Sequence, residues 1–206
     1  MDAEVRIFLV DDEDDVTRGL SWLLESVGLQ AQAFALAEPF LAALDAENLP
    51  ACVVLDLRMP GLSGLEVMER LVQRRPDIPI VFLSAHGDIP SAVRAMKLGA
   101  FDFLQKPFNP QQFLDCIQRA RRHALERHGE WLRRCDYDAS LARLSARERE
   151  VLKQMLDGGS SKQIGRQLDI SPKTVDVHRA NILRKLEIGS ARELSSRFRA
   201  AIPREP

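Results

Sequence analysis

Two acids, Asp11 and Asp12, follow the apolar run "VRIFLV", and a third, Asp56, closes the run "CVVLD". A hydroxyl, Ser84, closes "IVFLS", and an ammonium, Lys106, follows "FDFLQ". Each polar group therefore stands where a β-rich stretch stops. Carboxylates gathered in one place repel, and are costly to keep ionised unless a cation joins them. Hard oxygen donors in an open, wet pocket suit Mg2+, which keeps several of its waters. With a hydroxyl and an ammonium facing them, such a cluster makes a receptacle for a phosphoryl group, whose developing charge the ion and the lysine neutralise.

These groups converge only if their strands are neighbours, so the elements around them matter. "VTRGLSWLLESVG" carries Val16, Leu20, Leu23, Leu24 and Val27 as a helical stripe closed by Gly28. "LQAQAF" reads as a weak strand, and "EPFLAALDAE" as a helix with Pro39 in its first turn. "CVVLDL" and "IPIVFLSA" lack polar alternation, as strands buried on both faces do. "GLEVMERLVQRR" and "IPSAVRAMKLGA" are helices, "FDFLQ" is a strand, and "NPQQFLDCIQRARRHALERHGEWLRR" is a long helix. Strands alternating with helices imply a five-stranded parallel, doubly wound, flavodoxin-like sheet. In the common 2-1-3-4-5 order strands one and three are adjacent, and sites form at the carboxyl ends of strands. This assigns residues 1–122 to one domain. Residues 123–140 read as a linker, a helical extension of the last helix that loosens at "CDYDASLA".

Beyond the linker, over 141–206, the period is helical only, at 145–157, 160–168, 171–186 and 191–201. Ser145 has Glu148 at the capping-box position, and either Ser160 or Ser161 can cap the next helix. "DIS" is a tight turn, after which Ser171 caps and Pro172 begins a third helix. A short turn between two helices suggests a helix-turn-helix, whose second helix enters the major groove. There Val175, Ile182 and Leu186 point to the core. The candidate DNA contacts are Lys173, Thr174, Asp176, Val177, His178, Arg179, Arg184 and Lys185. Lysines and arginines neutralise phosphates, Thr174 can donate to one, Arg179 suits guanine, and Asp176 suits the N4 amine of cytosine.

Charge supports this division. Residues 1–120 hold 10 Lys+Arg against 18 Asp+Glu, whereas residues 121–206 hold 19 against 12, a basic half suited to a polyanion. No apolar run approaches the ~18 residues of a membrane span. The start, "MDAEVRIFLVDDEDD", does not read as a signal peptide, and Cys52, Cys116 and Cys135 form no CxxC. The expectation is a cytoplasmic protein with reduced thiols and no membrane partner.

The segments "LVDDE", "VVLDLRMPG", "VFLSAHGD" and "DFLQKPF" resemble, in order and spacing, the receiver domain of two-component response regulators. The segments "LSAREREVL", "SKQIGRQLDIS" and "KTVDVHRANILRKL" resemble the LuxR-type helix-turn-helix. Together they resemble response regulators of the NarL/FixJ class, with the FixJ branch indicated by "AHGDIP" and "VHRANI". The resemblance implies that Asp56 accepts a phosphoryl group from a cognate histidine kinase. It implies that Asp11, Asp12, Asp56 and the backbone carbonyl of Arg58 hold Mg2+, with Asp11 acting partly through water. Ser84 and Lys106 would hold the phosphate, the Lys106–Pro107 bond would be cis, and Phe103 would be the switch aromatic. It further implies a homodimer on phosphorylation, double-stranded promoter DNA as target, RNA polymerase as a further partner, and no enzymatic turnover. The sequence departs from the family at Gly165, often alanine, and at Gln163, often glutamate.

Two other readings compete with this one. A phosphohydrolase using Asp56 as nucleophile would want a general acid two residues on, where Arg58 stands. The other is a receiver whose output binds RNA or protein.

Overall fold

The computed structural model describes residues 4–46, 48–85 and 89–198. The strands β1 (Arg6–Val10), β2 (Ala31–Phe34), β3 (Ala51–Asp56), β4 (Ile80–Ser84) and β5 (Asp102–Gln105) form one parallel sheet in the order β2-β1-β3-β4-β5. The interleaved helices are α1 (Asp14–Glu25), α2 (Ala37–Ala46), α3 (Gly64–Arg74), α4 (Ile89–Lys97) and α5 (Pro110–Ala142).

Alternation along the central strands sends side chains into two separate cores. Phe8, Val10, Val53, Leu55, Ile80 and Phe82 pack with Phe40 and Leu44 of α2, Val67, Met68 and Leu71 of α3, and Ala95 of α4. Ile7, Leu9, Cys52, Val54, Val81 and Leu83 pack with Leu20 and Leu24 of α1 and Phe113, Leu114 and Ile117 of α5. Both faces of β3 are thus covered, which is why its six residues are all buried and the five before Asp56 read as an unbroken apolar run.

The chain divides into two compact units, the first ending at Gly129 and the second starting at Glu130. This division falls inside α5, which continues as helix through the segment expected to loosen, "CDYDASLA". The reason is local to each unit. In the first, His128 is buried with its Nδ1 2.8 Å from Asp77 Oδ2, and Asp77 also accepts from Arg75 Nε and Nη2 at 3.0 Å. In the second, Tyr137 packs 5.5 Å from the Phe198 ring, and Asp136 receives two hydrogen bonds from Arg197. Tertiary partners hold turns whose own composition favours no helix.

The second unit adds α6 (Ala146–Leu156), α7 (Ser161–Leu168), α8 (Pro172–Lys185) and α9 (Ala191–Phe198) around Val151, Leu152, Ile164, Val175, Ile182, Leu194 and Phe198. Ser145 and Glu148 form a complete capping box on α6. Residues 199–201 of the expected last helix lie outside the described residues, as do residues 86–88 of the "VFLSAHGD" segment.

Candidate functional site

Register brings the first set of polar groups together. Val10 pairs with Leu55, so the residues that follow them, Asp11 and Asp56, end neighbouring strands at one level. Asp56 pairs with Leu83, and Ser84 with Gln105, which sets Lys106 one step beyond β5. Lys106 Nζ then donates to Asp11 Oδ2 at 2.7 Å, to Asp56 Oδ1 at 3.0 Å and to Glu13 Oε1 at 3.4 Å. These partners lie 95, 50 and 93 residues away in sequence. Lys106 N donates to the Ser84 carbonyl at 2.8 Å, so the hydroxyl-bearing residue adjoins the lysine, and the Lys106–Pro107 peptide is cis.

Burial sharpens the electrostatics. The side chains of Asp11 and Asp56 are only 3% and 10% exposed. Desolvation by burial pushes the Asp56 carboxyl above its ordinary range, although the Arg58 N–H, which donates to Oδ2 at 2.7 Å, and Lys106 both oppose the rise. Burial alone would lower Lys106, but its hydrogen bonds to Asp11 and Asp56 win and raise it, so the ammonium is held charged. Gly64 makes the close packing possible. A Cβ there would lie 2.2 Å from the Asp56 carbonyl oxygen, so only glycine lets α3 start beside the end of β3. Ser63 caps that helix with Glu66 in a capping box.

Two buried carboxylates share one ammonium, and the set keeps negative charge in excess. Asp12 is exposed and apart from this contact. Among the described residues no three His, Cys, Asp or Glu side chains gather closely enough to cage a metal. Mg2+ does not require a cage, because it binds through one or two carboxylates and keeps its remaining waters. The hard oxygen donors Asp11 and Asp56 fit that ion. Phe103, half-buried on β5, has its ring 6.4 Å from that of Phe82. Glu13, the last residue of "LVDDE", also reaches Lys106; that contact depends on the turn after β1, which no spacing in the sequence reveals.

The second set of groups lies on α8. Ser171 caps it and Pro172 occupies its first turn. The turn from α7 is tight because Asp169 is left-handed, at φ 53°, and because Gly165 carries no Cβ. One there would meet the Ile170 carbonyl oxygen at 2.7 Å. Gly165 therefore lets the turn close on α7. Gln163 closes the capping box on Ser160 as glutamate would, with its Oε1 accepting from Ser160 N at 2.9 Å.

Of the candidate contacts, Lys173, Thr174, Asp176, Val177 and Arg184 are exposed, whereas His178, Arg179 and Lys185 are half-buried. Several are engaged within the domain. Lys185 Nζ donates to the buried Glu148 at 2.6 Å and holds that carboxyl below its ordinary range. Arg179 Nη1 donates to the Gly159 carbonyl at 3.3 Å. Asp176 Oδ1 accepts from Ser161 Oγ at 2.6 Å, and the hydroxyls of Thr174 and Ser171 lie 2.8 Å apart. The helical wheel points Arg179 outward, but it misses a carbonyl that the α6–α7 loop brings back beside α8.

Residues 7–118 match the response regulator receiver domain, and residues 142–198 match the luxR family of bacterial regulatory proteins. The chain belongs to the response regulators. Among its relatives, the response regulator protein TmoT of Ectopseudomonas mendocina is 42% identical over 94% of this chain and 87% of that protein. The transcriptional regulatory protein FixJ of Bradyrhizobium diazoefficiens is 40% identical over 94% of both chains. Among solved structures, the response regulator StyR is similar over 95% of this chain and 98% of that one, at 41% identity and a TM-score of 0.65. Full-length FixJ from B. japonicum is similar over 97% and 98%, at 39% identity and a TM-score of 0.57. This response regulator thus carries a receiver domain followed by a LuxR-type DNA-binding domain. No helix among its described residues is long and apolar enough to cross a membrane.

Proposed function

We propose that Asp56 of this response regulator is the phosphoacceptor of a cognate histidine kinase, and that phosphorylation governs sequence-specific binding of promoter DNA through α8. The observation that carries this reading is Lys106 Nζ, within hydrogen-bond reach of both Asp11 and Asp56 at the carboxyl edge of the sheet. A carboxylate oxygen of Asp56 attacks the phosphorus of a phosphohistidine; the O–P bond forms as the N–P bond breaks, and the imidazole takes up a proton. Lys106 turns from its carboxylates toward the arriving phosphoryl oxygens, with Ser84 beside it. Asp11, Asp12, Asp56 and the Arg58 carbonyl are the residues to hold Mg2+, which when bound neutralises charge on the transferred group.

Phosphorylation replaces the single negative charge of the Asp56 carboxylate with a phosphoryl group that carries about 1.5–2, beside residues already short of cations. Phe103 is the group to respond, by moving into space that Ser84 vacates. Domain limits of 1–122, 123–140 and 141–206 suit this division of labour, with homodimerisation on phosphorylation and contact with RNA polymerase at the promoter. The name transcriptional regulatory protein, carried by FixJ, supports the same output. A cytoplasmic location suits a regulator whose LuxR-type domain must meet promoter DNA. The protein is a signal carrier rather than an enzyme, since Arg58 stands where a phosphohydrolase would place its general acid.

Incubating the chain with a labelled small phosphodonor and Mg2+ tests the assignment. Wild type incorporates label and Asp56→Asn none; equal incorporation by the two refutes the acceptor.

A further inference from the structure

Two serines stand at the start of α7, and only one of them caps it. Ser160 is the N-cap, accepting from Gln163 N, and its box partner is the Gln163 side chain. Ser161, the first residue of the helix, has a hydroxyl that takes no part in the cap. It donates instead to Asp176 Oδ1 at 2.6 Å, across to α8. Asp176 is the single acid on α8, which also carries Lys173, Arg179, Arg184 and Lys185. An exposed carboxylate on a face that meets a polyanion is repelled by phosphates. It is favourable there only when it accepts a hydrogen bond from a base, and among base edges the N4 amine of cytosine suits it.

From this geometry we infer that Ser161 is a positioning residue for base reading. By holding Oδ1, it restricts the carboxylate of Asp176 to one orientation, so that the second oxygen meets the base edge in a fixed place. The inference rests on the proposed DNA-reading role of α8. An unrestrained aspartate on a helix surface samples several rotamers and must lose that freedom on binding. The serine removes this loss before DNA arrives, and a charge-assisted O–H···O⁻ bond of this length is among the stronger ones. Once the interface excludes water, the bond strengthens further.

The test is selection of bound duplexes from a random pool by the full-length phosphorylated protein, followed by gel-shift measurements at stated salt. Asp176→Ala identifies the base position that Asp176 reads, as the one where the cytosine preference disappears. Ser161→Ala is expected to weaken that same preference by roughly 5-fold and to leave binding to a duplex of unrelated sequence within about 2-fold. Ser161→Thr, which keeps the hydroxyl, is expected to restore the preference. If Asp176→Ala changes no preference, the reading role of Asp176 fails, and the inference with it. If Asp176→Ala removes the preference while Ser161→Ala retains it in full, the inference alone is overturned. A loss of affinity by Ser161→Ala that is equal on all sequences also overturns it, because that is the result of a purely structural tie between α7 and α8.

Discussion

At the carboxyl edge of the sheet, Asp11 and Asp56 are nearly buried and compete for the ammonium of Lys106, whereas on α8 Asp176 stands exposed with a serine hydroxyl as its partner. The first arrangement stores unbalanced charge in a poorly solvated place. There each added charge acts strongly on its neighbours, and salt screens little. The second arrangement keeps its charges in water, where single contacts are weak and a binding face works through their sum. A site meant to respond to one chemical event is built in the first way, and one meant to find a long polyanion in the second.

The sharpest way to break this contrast is to fill one glycine in each region. Gly64→Ala sets a methyl against the Asp56 carbonyl inside the packed edge. Unfolding of the receiver, followed by calorimetry, should show a loss of about 3 kcal/mol. Gly165→Ala sets one against the Ile170 carbonyl, at the turn between α7 and α8. There the helix regains about 1 kcal/mol of propensity, so the net loss should be the smaller of the two. Equal losses would mean that the edge is no more tightly constrained than the turn.

A smaller effect separates two acids within the receiver by pH. Burial dominates at Asp56 and raises it, so its folded form binds a proton more readily than its unfolded form. The stability it contributes is present below the unfolded value, near 4, and is lost as pH rises through the raised folded value. Asp56→Asn should therefore stabilise the unphosphorylated receiver at pH 7, by about 0.5–2 kcal/mol. Asp77 is also pushed up by burial, but the hydrogen bonds from Arg75 and His128 prevail and hold it below its ordinary range. Its contribution is present above the unfolded value and is lost as pH falls through the depressed folded value. Asp77→Asn should flatten the acid limb of a stability–pH curve, where Asp56→Asn does not. Coincident acid limbs for the two variants would erase the distinction.

The smallest expected effect is on the exposed face. Lys173→Ala should weaken DNA binding about equally on every sequence, and reduce the slope of log affinity against log salt by about 1. Phosphate incorporation at Asp56 should be unchanged. A sequence-dependent loss would make Lys173 a base reader rather than a phosphate contact.

Much of this was legible beforehand, and for identifiable reasons. "CVVLDL" announced a strand covered on both faces because burial on both sides removes polar alternation. "SAREREVL" announced its helix because capping depends on residues three apart. Val175, Ile182 and Leu186 followed from the helical period, and the acids at the strand ends from where each apolar run stopped. Other features escaped a one-dimensional reading. The linker at "CDYDASLA" looked loose because its helix depends on Asp136 and Tyr137 meeting Arg197 and Phe198, some 60 residues away. Arg179 and Lys185 looked free because their partners, Gly159 and Glu148, lie 20 and 37 residues off.

The sequence by itself determined the elements, their polar ends and the two kinds of charge, since periodicity, capping and apolar runs are written within a few residues. Only the tertiary structure decided which carboxylates share Lys106, that Asp12 stays outside that contact, and that Ser161 rather than Ser160 reaches Asp176. Those outcomes depend on strand register and on the angle between helices. Both are set by how buried side chains interlock across the whole domain, and no local pattern carries them.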